Sequence, residues 1–119
     1  MQERMKNKIH YSVEARRDLD DIWDYIEADL CNPTAAKNMV NRIMVAVDQL
    51  ESFSGLGSPL SSITDTDTDY RFLVTGNYMT FYRVFGNDVY VDRILYGRRD
   101  YLRILFGDMI ETETPNKTF

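Results

Sequence analysis

The sequence predicts an α+β fold, an N-terminal helical hairpin packed on an antiparallel sheet and closed by a short C-terminal helix. Apolar residues recur at spacings of three and four between Leu19 and Leu50, the mark of amphipathic helices. From Tyr70 to Tyr96 the chain turns to aromatic and β-branched runs broken by Gly76-Asn77 and Gly86-Asn87-Asp88, the mark of hairpins. With 119 residues, 44% hydrophobic and 28% charged, the chain suits one hydrophobic core. Residues 1–107 are expected to form that domain, and 108–119 a polar, loosely ordered tail.

The first element read from the N-terminus is a short strand, Lys8 to Val13, with Ile9, Tyr11 and Val13 on one side. Ser12 suits an N-cap and Glu14 the first helical turn. Leu19, Ile22, Trp23, Ile26 and Leu30 then mark a helix whose opposite face is acidic, with Asp20, Asp21, Asp24, Glu27 and Asp29. That acidic face reads first as solvated surface and second as a contact for a basic partner. Asn32 caps a second helix that begins at Pro33, where a missing N–H costs nothing. Ala36, Val40, Ile43, Val47 and Leu50 line its inner side, with Met39 and Met44 beside them as core filler. So short a turn between the helices predicts antiparallel packing.

Ser54 to Pro59 reads as a connector, because a phosphate-binding loop would end in Gly-Lys-Ser/Thr and open a helix. The alternating aspartates of Thr64–Asp69 lack the glycine and closing glutamate of a calcium loop. Three strands follow, Tyr70–Val74, Tyr78–Phe85 and Val89–Tyr96. A final helix over Tyr101–Phe106 is capped by Asp100 and stopped by Gly107. One sheet face should cover the helices and leave the other partly open.

Composition excludes several functions. Cys31 is the single cysteine and His10 the single histidine, so neither an internal disulfide nor a Cys/His metal site is expected. No cofactor is expected either. The N-terminal stretch is polar and no run reaches membrane-spanning length, which makes a cytoplasmic protein the expectation. The net charge of −5 argues against a general nucleic-acid binder, yet it is unevenly distributed. From Tyr70 to Arg103 six arginines face three aspartates, a local basic patch on an acidic chain.

The string YRFLVTGNYMTFYRVFGNDVYVDRILYGRRD, Tyr70 to Asp100, resembles the RelE/ParE superfamily of bacterial type II toxins, the plasmid stabilisation protein-like group. The resemblance rests on Tyr70-Arg71, on Tyr82-Arg83-Val84, and on Arg93-Ile94-Leu95-Tyr96-Gly97-Arg98-Arg99-Asp100. It extends to Ala15, Leu19, Ile22 and Tyr25 of the first helix and to the loop at Gly57-Ser58-Pro59, about residues 8–106 in all. It implies a RelE-like fold in which the first strand joins the sheet to make a four-stranded antiparallel sheet, and a growth-arresting toxin held by a cognate antitoxin, with a heterotetramer as one assembly. Ribosome-dependent mRNA cleavage, a metal-independent endoribonuclease activity, is the first function implied. The alternatives are a non-catalytic ParE-like inhibitor of DNA gyrase and a degenerate toxin that only binds antitoxin.

For RNA cleavage the reaction needs a base, an acid and a cation to stabilise the phosphorane. Arg71, Arg99 and Tyr96 are the candidate catalytic residues, since arginine's planar fork fits phosphate and a tyrosine supplies a weak acid or a stacking ring. Arg83, Arg98, Arg103 and Tyr82 are the candidate target-binding residues. Alternation puts Arg83 among apolar neighbours, so pairing with Asp92 stands equally beside a target contact. The sequence departs from the nuclease members of the family, which carry an arginine where Met79 stands and a tyrosine near Leu105. Their frequent histidine is replaced by Tyr96.

Overall fold

The computed structural model describes residues 6–65 and 67–107, so the expected tail at 108–119 lies outside the described residues. The elements are β1 (Lys8–Tyr11), α1 (Val13–Asp24), α2 (Pro33–Asp48), β2 (Ser58–Pro59), β3 (Arg71–Thr75), β4 (Tyr78–Phe85), β5 (Asp88–Tyr96) and α3 (Tyr101–Phe106). A wide π turn, Tyr25–Asp29, extends α1, and 3₁₀ turns follow α2 and β2.

Local chemistry sets the helix starts. Ser12 accepts the Ala15 N–H at 2.9 Å and Asn32 accepts the Ala35 N–H at 3.0 Å. Asp100 accepts the Arg103 N–H at 3.4 Å. Because Ser12 caps α1, β1 stops at Tyr11 and Val13 becomes an exposed helical residue instead of a strand residue. Gly76 and Gly86, at φ of 59° and 60°, each supply the positive φ that a two-residue hairpin turn needs at its first central position.

The α+β architecture expected from sequence is present, with one more strand and a mixed sheet. Its order is β1-β5-β4-β3-β2. β2 pairs antiparallel with β3 through Ser58↔Phe72 and Pro59↔Arg71, and this two-residue strand is too short to produce a periodic signal. β1 pairs parallel with β5, Ile9 opposite Val89 and Tyr11 opposite Val91. The whole helical hairpin and three strands separate these partners in sequence, so no tight turn imposes an antiparallel direction.

The sheet carries an apolar cluster on each face. On the helix side Ile22, Ile26, Ile43, Val47, Tyr82 and Ile94 form the larger one. On the other side Leu60, Met79, Phe81 and Leu95 are buried beneath α3, with Phe72 and Leu105 packed against them. Thus α3 closes much of the face expected to stay open; Phe85 and Tyr90, near the β4–β5 turn, remain exposed. The β4–β5 register slips between Phe81 and Tyr82, which face the three residues from Val91 to Arg93. Such a bulge bends a strand and redirects its side chains. Here Asp92 meets Arg83 and Tyr70, while Arg93 reaches Asp18 on α1.

Candidate functional site

The arginines of the basic segment divide into those held by the fold and those left at the surface. Arg71 donates from Nε and Nη2 to the Gly57 carbonyl at 3.1 and 2.7 Å, and from Nη2 to the Gly55 carbonyl at 3.1 Å. Its fork is therefore closed on the Ser54–Pro59 connector. Tyr82 secures the same loop from below: its hydroxyl donates to the Ser54 carbonyl and accepts the Gly57 N–H, each at 2.9 Å. Tyr82 is fully buried, so this expected target-binding residue has no surface to offer a target.

Arg83 is likewise engaged. It donates to Asp92 Oδ2 from Nε at 2.9 Å and forms an ion pair with the same oxygen from Nη2 at 2.8 Å. The Tyr70 hydroxyl donates to that oxygen at 2.7 Å, and the guanidinium lies 5.0 Å from the Tyr70 ring centroid. Burial, then the bond to Asp92, pushes the Tyr70 hydroxyl up to about 12. Of the two readings of Arg83 left open by the sequence, the structure contains the Asp92 pair. Arg103 forms an ion pair with Asp100 at 3.4 Å, one turn away on α3.

Arg98 and Arg99 stand exposed in the turn after β5, and neither guanidinium meets a partner among the described residues. Arg99 and Tyr96 are brought together at the rim of a groove of about 720 Å³ between the helical hairpin and the ends of β4 and β5. Ile22, Ile26, Met39, Ile94 and Leu95 are among its apolar lining residues. Tyr96 packs edge-on against Tyr78 with ring centroids 5.8 Å apart, as their cross-strand pairing requires. Burial first, then Tyr25 and Tyr96, raises the Tyr78 hydroxyl above its ordinary value, which keeps it neutral. Asp21 sits on the α1 side. The groove joins an apolar floor to an anion on one wall and a cation on the other, an arrangement suited to binding.

The expected catalytic trio is not assembled: Arg99 and Tyr96 share this groove, whereas Arg71 is held at the connector loop on β3. Of the two positions at which the resemblance implies nuclease groups, Met79 lies in the apolar cluster beneath α3 and Leu105 packs onto that cluster from α3. Asp21, Tyr25, Asn77 and Tyr78 also line the groove and were missed by sequence reasoning. A usable signal existed for two of them, because Asp21 on α1 and Tyr25 at the start of the following π turn are four residues, about one turn, apart. Among the described residues no three His, Cys, Asp or Glu side chains gather to hold a metal ion, and no helix is long and apolar enough to cross a membrane.

Comparison with known proteins places these features in a family. The family model for "ParE toxin of type II toxin-antitoxin system, parDE" matches residues 9–101, from β1 into α3. The protein Y4kP of Sinorhizobium fredii is 32% identical over 102 residues, covering 84% of this chain and 98% of that protein. Toxin ParE1 of Caulobacter vibrioides is 31% identical over 85 residues, covering 71% of this chain and 83% of its own. A chain of the chromosomal ParDE system from P. aeruginosa shares the fold with a TM-score of 0.64 at 24% identity, covering 76% of this chain and 96% of that one. The match runs through both helices, the meander and the Arg98-Arg99 turn, and the chain belongs to the ParE toxin family of type II toxin–antitoxin systems.

Proposed function

We propose that this toxin arrests growth by binding its target without cleaving RNA, that the target is DNA gyrase, and that a cognate antitoxin neutralises it. The apolar packing of Met79, which is buried, and of Leu105, which is half-buried against the same cluster, carries this reading. Metal-independent RNA cleavage needs a base, an acid and a cation gathered around one phosphate. Here the places of two nuclease groups are filled by packed hydrocarbon, and Arg71 and Arg83 are engaged by protein acceptors. The acidic total charge also disfavours entry into an RNA-rich site, where counterion release supplies much of the affinity. The match to the ParE family model and to ParE1 favours the ParE-like alternative over mRNA cleavage.

Two assays on the purified chain test the proposal. Gyrase supercoiling of a relaxed plasmid should fall with added toxin, while a defined mRNA in a translating extract stays intact. Unimpaired supercoiling together with a cut message would replace this reading with the nuclease one.

A further inference from the structure

We infer that the end of the molecule where Arg42, Arg98 and Arg99 flank the Gly76-Asn77 turn contacts the phosphates of the DNA duplex that gyrase holds. This rests on the gyrase reading above and adds to it a second component of the target, with the toxin side chains that meet it.

Two contacts gather the three cations. α2 packs on the β3–β4 turn, so that Arg42 Nη1 lies 3.9 Å from where a Cβ on Gly76 would stand. The Gly97 N–H donates to the Asn77 carbonyl at 2.7 Å, which ties the turn carrying Arg98 and Arg99 to the same hairpin. All three arginines are exposed, and none has a hydrogen bond or ion pair from its side chain among the described residues. They differ in this from Arg71, Arg83 and Arg93, whose forks are closed on protein acceptors.

The local charge is cationic although the chain is not. No acidic residue occurs from Pro33 to Val47 or from Tyr70 to Asn87, the stretches that supply α2 and the β3–β4 hairpin. Asp100, which follows Arg99, is paired with Arg103 at 3.4 Å. Asp21 is the one unpaired acid that shares a groove with Arg99 among the described residues. The exposed acids Asp20, Asp24 and Glu27 lie on α1 and its π turn. A chain of net charge −5 gains little from DNA alone. Docked on an enzyme that already holds a duplex, it can turn its cationic end to the phosphates and its acidic helix away.

The chemistry selects phosphate over a protein surface. Protein interfaces centre on large apolar or aromatic anchors. The exposed side chains interleaved with these arginines are Asn38, one helical turn before Arg42 on α2, and Asn77 in the turn. Arginine forks and asparagine amides donate to backbone phosphate oxygens, and they position a duplex without reading its sequence. An enzyme that supercoils plasmid keeps a duplex at its working site, so a protein that stops it there lies beside phosphate charge.

The test measures binding of the purified full chain to gyrase alone and to gyrase loaded with a DNA duplex, as a function of salt. The ratio of the two affinities isolates the DNA contribution. It should favour the loaded enzyme and fall about fortyfold between 50 and 200 mM salt, the dependence of three neutralised phosphates. Arg42→Gln, Arg98→Gln and Arg99→Gln should each flatten the log–log salt slope by about one, and the triple variant should bind both forms equally. Arg16→Glu, exposed in the α1–α2 cleft with Leu19, Trp23 and Met44, is the control and should leave the ratio unchanged. Circular dichroism and urea midpoints matching the parent show that the variants fold. Equal affinity of the parent for the two forms, or a ratio that survives in the triple variant, overturns the DNA contact while the gyrase reading stands. A triple variant that loses affinity for gyrase without DNA shows that the surface meets protein, which also overturns the DNA contact. A parent chain that binds neither form and leaves supercoiling unimpaired overturns both readings.

Discussion

Asp18 holds Arg93 with both carboxylate oxygens, at 2.8 Å each, and with one of them also accepts the Ile94 N–H at 2.8 Å. One buried side chain on α1 thereby fastens the helix to β5 where the register has just slipped. The Asp18 bonds, opposed by partial burial, raise the Arg93 guanidinium further above its ordinary value, so the arginine is held in its charged form.

Asp18→Asn should therefore be the costliest polar substitution of this set. It removes the anion that answers Arg93 and leaves a partly buried cation without a counter-charge. A loss of about 3 kcal/mol is expected, in the range for breaking a buried pair from one side. Urea unfolding followed by circular dichroism measures it; a change under about 0.5 kcal/mol, the scale of an ordinary surface substitution, would refute the fastening role.

Alkali should destabilise the fold through Tyr70. Its hydroxyl is raised to about 12, above the ordinary value of 10.0, because burial and the bond to Asp92 favour the protonated form. The unfolded chain releases this proton first, so stability is lost as pH rises from about 10 towards 12. Tyr11, pushed up to about 12 by burial and then by Asp48, contributes in the same direction. Urea midpoints taken across this interval should fall less steeply in Tyr70→Phe than in the parent. Parallel slopes would mean that the Tyr70 proton is not linked to folding.

Gly57→Ala should disturb the connector that Arg71 and Tyr82 hold. A Cβ at this position would lie 2.5 Å from the Phe72 carbonyl oxygen and 2.7 Å from the Tyr82 hydroxyl. Backbone on one side and a bonded, buried hydroxyl on the other leave little room to yield. A cost of about 2 kcal/mol is expected from overpacking. Gly55→Ala meets nothing within 4 Å and serves as the paired control in thermal unfolding.

The arginines should separate by stability. Arg71→Ala removes three hydrogen bonds to loop carbonyls and should cost about 1–3 kcal/mol. Arg83→Ala also removes the partner of Asp92 and the cation over the Tyr70 ring, so its midpoint should fall too. Arg98→Ala and Arg99→Ala should stay within about 0.5 kcal/mol, as exposed positions do. Equal urea midpoints for all four variants would contradict the division into held and exposed groups.

The sequence by itself determined the elements whose causes are local. The caps at Ser12, Asn32 and Asp100, the proline at the start of α2 and the glycines of both hairpin turns act within a few residues, so periodicity and spacing expose them. The spacing of Ile22, Ile26, Ile43 and Val47 likewise announced which helix faces would be buried. Only the tertiary structure decided which cations stay accessible. Arginine's identity supplies a charged fork, but its partner is chosen by whatever acceptor the fold brings within about 3 Å. For Arg93 that acceptor is Asp18, 75 residues away, and for Arg71 it is a loop carbonyl reached through the β2–β3 pairing. The parallel addition of β1, the bulge beside Asp92 and the groove shared by Tyr96 and Arg99 have the same origin. Each depends on contacts between distant segments, and no period within one segment encodes them.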